Sequence, residues 1–116
     1  MNVDPREKAI EHLQAAIAAA SARGDPAELA YYQAKLGTAY TQRRQGKAAE
    51  NFQRAIEHYE RSLALQPREK SPDDWAAAQN GLGTAYMKRL DGDKADNMER
   101  AIEHFRNALQ VRTRQG

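Results

Sequence analysis

An all-α fold of stacked helix pairs is predicted by three observations. The first is a period. Ala-Ile-Glu-His begins at Ala9, Ala55 and Ala101, at intervals of 46 residues, and Asp25–Lys70 set without a gap on Ser71–Gly116 gives 19 identities in 46 positions. The second is the recurrence of helix start and stop signals one period apart. The third is apolar spacing of helical type, with no stretch that alternates apolar and polar residues over strand length. Repeating units of this kind cannot bury an apolar face alone and stack on their neighbours, so the expectation is a short helical solenoid. The 116 residues are read as a single domain: a half repeat over 1–24 and full repeats over 25–70 and 71–116.

Five helices are expected, at Pro5–Ala22, Pro26–Arg44, Lys47–Gln66, Pro72–Leu90 and Lys94–Arg112. The first opens on Asp4-Pro5-Arg6-Glu7, the second on Asp25-Pro26-Ala27-Glu28 and the fourth on Ser71-Pro72-Asp73-Asp74. Each signal offers a capping side chain, proline at the first helical position and an acid at the third, where the helix dipole is positive. Asp96-Asn97-Met98-Glu99 has the same form without the proline. Gly24, Gly46 and Gly92 mark stops by their tolerance of left-handed backbone, and Pro67 ends the third helix. The third helix buries a stripe of Phe52, Ala55, Ile56, Tyr59 and Leu63. The fourth presents Trp75, Ala78, Leu82, Ala85 and Tyr86, matched one period earlier by Leu29, Tyr32, Leu36, Ala39 and Tyr40. Short connections make neighbouring helices antiparallel.

Gly37 and Gly83 fall inside predicted helices, where glycine costs about 1 kcal/mol relative to alanine. Close approach of a facing helix offsets that cost, and Ala9, Ala55 and Ala101 supply small residues on the other helix type.

Composition narrows the function classes. The apolar fraction is 41%, much of it alanine, which suits closely spaced helices rather than a thick layer of large side chains. Eighteen basic against sixteen acidic residues leave +2, without the concentrated basic face of a nucleic-acid binder. The chain has no cysteine, hence neither disulfide nor thiolate metal site. No long apolar run suggests a membrane segment or leader, so a cytoplasmic protein is expected.

No catalytic, cofactor or metal site is expected. His12, His58 and His104 each follow a glutamate, but adjacent helical residues point about 100° apart and cannot chelate one ion together. Their equivalent repeat positions also keep the three imidazoles apart. Of the serines, Ser71 reads as a cap and Ser62 as a packing residue. Gly81-Leu82-Gly83 lies within a helix and lacks the strand of a phosphate loop.

Leu36, Gly37 and Tyr40, followed by Ala55, Tyr59, Ser62 and Pro67, resemble the motif of the tetratricopeptide repeat family. The next repeat matches with Leu82, Gly83, Tyr86, Ala101, Phe105 and Ala108, while Thr113 replaces the proline. Ala9, Leu13 and Ala16 fit the second helix of an earlier half repeat. The usual repeat in that family has about 34 residues. The longer period here is similar to repeats in large bacterial signalling proteins.

The resemblance implies a right-handed solenoid whose first helices line a concave peptide groove. Transferred position by position, the groove residues are Tyr31, Ala34, Lys35, Thr38 and Gln42, then Ala77, Asn80, Gly81, Thr84 and Lys88. Lys35 and Lys88, with Arg43 and Arg89, would make it mildly basic and suited to an acidic segment. The lysine and asparagine set that clamps a terminal carboxylate in chaperone-binding members is not reproduced, since Ala34 and Ala77 stand at two of its positions. Of the adjacent Tyr31 and Tyr32 only one can face the core, leaving an exposed aromatic.

A noncatalytic protein-interaction scaffold is therefore expected. The alternative is a self-assembling module, because the first helix has no earlier partner and the last no capping helix. Ile10, Leu13 and Ile17 at one end, with Phe105, Leu109 and Val111 at the other, are candidates for apolar surface that a homo-oligomer would cover. An excerpt of a longer repeat protein would show the same ends.

Overall fold

The computed structural model describes residues 4–66, 68, 70–89 and 92–115, with backbone alone for 112–115. Five α-helices make up the described residues: α1 (Pro5–Arg23), α2 (Pro26–Gln42), α3 (Ala48–Leu65), α4 (Pro72–Lys88) and α5 (Lys94–Gln115). Each packs on its neighbour in the chain, most extensively α2 on α3 and α4 on α5, and α2 also touches α4.

The capping chemistry accounts for most of the boundaries. Asp4 accepts from the Arg6 N–H, and Asp25 accepts from those of Ala27 and Glu28. Gly24, Gly46 and Gly92 take φ of 65°, 78° and 82° and turn the chain between helices. Ser71 departs from expectation. It stands at the cap position of α4 but makes no capping hydrogen bond, because its hydroxyl accepts from Gln66 Nε2 at 2.8 Å. The start of α5 is set by Asp93, whose carboxylate accepts from Ala95 and Asp96 N–H, so Asp96 lies within the first turn rather than before it.

α2 stops at Gln42, two residues early, as Arg43 becomes extended (ψ 132°) and reaches Glu7 of α1, Nε to Oε1 at 2.7 Å. The same guanidinium donates to Asn51 Oδ1 at 3.2 Å, and Asn51 donates to the Gln45 carbonyl at 2.9 Å. One ion pair thus ties the first helix to the turn between the next two. α4 stops equally early, with Arg89 extended, while α5 runs past the expected Arg112 to Gln115. Pro67 and Leu90, read as helix-ending positions, lie outside the described residues, and no side chain is described for Thr113.

The core draws on every helix: Ile10 of α1, Leu36 and Tyr40 of α2, Ile56 and Tyr59 of α3, Leu82 and Tyr86 of α4, and Ala101 of α5. A second small cluster sets Ala76 against Ala108 and Val111 under Trp75. Gly37 and Gly83 do sit at close helix contacts, but an aromatic ring fills each gap rather than a facing alanine. A Cβ on Gly37 would come within 3.0 Å of three Tyr59 ring atoms, and one on Gly83 within 2.7 Å of Phe105. Gly81 approaches the Tyr59 ring from α4, so that a Cβ there would overlap it and lie 2.7 Å from the phenol oxygen.

The Tyr59 ring is thereby wedged between two glycines on two different helices. Burying an aromatic side chain removes roughly 150–250 Å² from water, about 4–6 kcal/mol at about 25 cal/mol/Å². That exceeds the roughly 2 kcal/mol that two helical glycines cost. Gly81→Ala should accordingly lower the thermal midpoint. Overpacking of about 1–3 kcal/mol outweighs the helix-propensity gain of about 1 kcal/mol. A calorimetric midpoint at or above that of the parent would show that the ring is not wedged.

Candidate functional site

On α2, Tyr31, Ala34, Lys35 and Thr38 follow the i, i+3, i+4, i+7 spacing of one helix face. The structure brings these four together with Ala30, with Tyr59 and Ser62 of α3, and with Asp74 and Ala77 of α4, around a pocket of 130 Å³. Its floor is held by hydrogen bonds. Ser62 Oγ donates to the Ala30 carbonyl at 2.7 Å, and the hydroxyls of Thr38 and Tyr59 meet at 2.6 Å. Burial pushes the Tyr59 phenol up from its ordinary pKa, keeping it protonated. The rim carries one cation and one anion, Lys35 and Asp74. Lys35 Nζ lies 5.4 Å from the centroid of the Tyr31 ring, which is 46% exposed and thus the outward member of the tyrosine pair. Tyr32 is half-buried and meets Tyr31 edge-on.

The other transferred positions fall elsewhere. Gln42 is exposed, and Asn80 and Thr84 are half-buried outside the lining of this pocket. Lys88 lines a different hollow of 500 Å³, at the turn between α4 and α5, beside Phe52, Met87 and Met98. Lys35 and Lys88 therefore do not share one hollow, and Arg43 is engaged by Glu7. Gly81 serves the packing of Tyr59.

Among the end residues, Ile10 is 6% exposed inside the core, and Leu13, Ile17 and Phe105 pack against it. Phe105 is held under Gly83, so a charge placed there strikes the fold itself. Val111 is buried as well. Leu109 is 60% exposed, and three residues not anticipated from the sequence join it: Met87, Met98 and Ile102. The repeat does not signal the exposure of Ile102, the third member of the series Ile10, Ile56, Ile102, since the first two are buried.

Two histidines occupy matched polar contacts. His58 Nδ1 donates to Gln33 Oε1 at 2.7 Å and stacks on Tyr40, with the Arg54 guanidinium on the same tyrosine. His104 repeats the arrangement with Gln79, Tyr86 and Arg100. Among the described residues no group of three or more His, Asp or Glu is placed to hold a metal ion. Nor is any helix there long and apolar enough to cross a membrane. Comparison with protein-family models, with curated proteins and with solved structures finds no match to this chain.

Desolvation lowers the pKa of His58, with Arg61 and Arg54 adding to the effect against Glu57. Desolvation also lowers that of His104. The folded state thus binds these protons less readily than the unfolded chain. The stability linked to neutral imidazole is present above the unfolded value near 6.5 and is lost as pH falls through the lower folded values. Denaturant titrations between pH 7.5 and 5 should show stability declining from about pH 6.5, and the decline should be shallower in His58→Gln with His104→Gln. Equal pH dependence in parent and variant would exclude the two histidines as its source.

Proposed function

We propose that the chain is a tetratricopeptide-like, right-handed solenoid that works as a noncatalytic, cytoplasmic protein-interaction module. An acidic peptide or helix is the partner proposed for the pocket between α2 and α4. One observation carries this reading. Five groove positions taken from the sequence resemblance, Tyr31, Ala34, Lys35, Thr38 and Ala77, line a single pocket. The sequential helix packing with α2 also touching α4 supports the solenoid, since first helices of successive repeats would lie side by side. The cysteine-free composition suits a reducing compartment.

The pocket would take one side chain of a bound segment between the small residues Ala30, Ala34 and Ala77, while Lys35 meets a neighbouring carboxylate. Tyr31 would supply a rigid aromatic edge of the kind that anchors interfaces. A second reading, self-association through the terminal helices, is favoured by the exposure of Ile102 and Leu109 on α5, at 46% and 60%.

Selection from a display library of glutamate-rich peptides, followed by titration of the best binder, tests the first reading. Lys35→Glu should weaken such a peptide roughly 5–10-fold, about 1 kcal/mol. Ala77→Trp, which fills the pocket from an exposed position, should abolish binding with helix content unchanged. Undiminished binding by both variants would remove the pocket from consideration.

A further inference from the structure

Among the described residues, four of the five exposed large apolar side chains lie at the C-terminal end of the fold: Met87 in the last turn of α4, and Met98, Ile102 and Leu109 on α5. At 100° per residue, Met98, Ile102 and Leu109 fall within about 40° of arc and form one stripe along α5. One repeat earlier, Ile56 is 2% exposed in the core and Phe52 and Leu63 are half-buried, so α5 exposes side chains at positions that α3 covers more fully. Along one flank of it run Glu99, Glu103, Arg106 and Gln110, which line a hollow of 430 Å³ together with Ile102. The two acids precede Arg106 along the helix axis, so the charge pattern is complementary to itself only when reversed.

We infer that α5 is a self-recognition surface, pairing antiparallel with α5 of a second copy about a two-fold axis between Glu103 and Arg106. This inference rests on the self-association reading and specifies its face and register. A two-fold contact is isologous, so every pairing occurs twice. In this register Glu103 of each copy faces Arg106 of the other, Glu99 faces Gln110, and Met98 of each reaches toward Leu109 of its partner. Parallel pairing would instead set Glu99 and Glu103 against their own counterparts and lose the complementarity. The apolar stripe supplies the affinity, and the charged flank selects orientation.

Sedimentation equilibrium of the full chain over a concentration series tests this, with circular dichroism to monitor folding. The parent should dimerise, and Ile102→Glu should be monomeric with the same helix content. Glu103→Arg alone and Arg106→Glu alone should each weaken the dimer on the order of tenfold, since two opposed charge pairs become two like pairs. An equimolar mixture of those two single variants should recover association, because each then presents the charge that the other lacks. A parent chain monomeric at every concentration would overturn self-association altogether. A dimer that survives Ile102→Glu would overturn the α5 face while leaving self-association standing. Failure of the mixture to associate, with the parent dimeric and Ile102→Glu monomeric, would overturn the antiparallel register.

Discussion

The distance between α2 and α4 is governed by one aromatic ring. Tyr59 enters from α3 and meets Gly37 on one side and Gly81 on the other, so both helices carry glycine at the point of contact. A Cβ at Gly81 would overlap the ring and force a shift, and one at Gly37 would press on it at 3.0 Å. The phenol oxygen then has one place to go, the Thr38 hydroxyl at 2.6 Å, and that contact fixes the ring in its own plane. Because Tyr59 and Ser62 form the floor of the pocket, the constraint that sets the helix spacing also sets the pocket's depth.

Around this wedge the two full repeats are clamped by the same polar device. A glutamine on the first helix receives a hydrogen bond from a histidine on the second, the histidine stacks on a tyrosine, and an arginine lies on that tyrosine. A half-buried imidazole is held neutral by desolvation, so each clamp ties folding to proton concentration. His12, at the matching position of α1, is exposed. The end helices differ further in what they cover. α1 buries Ile10 and is joined to the next turn by the Glu7–Arg43 pair, whereas α5 leaves Ile102 and Leu109 in water.

Much of the candidate pocket was legible before any coordinates. Tyr31, Ala34, Lys35, Thr38 and Ala77 are groove positions that the family resemblance implies, and the four on α2 share one helix face by their spacing. Equivalence under the repeat failed where the two repeats differ in their surroundings. The resemblance groups Lys88 with Lys35, yet Lys88 lies near the end of α4 beside Phe52, Met87 and Met98, in a hollow built partly by the turn into α5. Phe105, a candidate for terminal apolar surface, packs against the core where Gly83 makes room for its ring. The family resemblance places Gly81 in the groove, and the approach of Tyr59 explains the glycine.

Helix number, the approximate boundaries and the turns at Gly24, Gly46 and Gly92 were determined by the sequence alone, since capping, backbone preference and apolar period act within a few residues. Small residues at Gly37 and Gly83 likewise announced that something must approach closely. The tertiary structure decided what approaches. A sequence records that space was left, but the atom that fills it comes from a helix distant in the chain. The same reason separates Ile56 from Ile102. Identical residues in identical local sequence differ in exposure because one is covered by packed helices and the other is not.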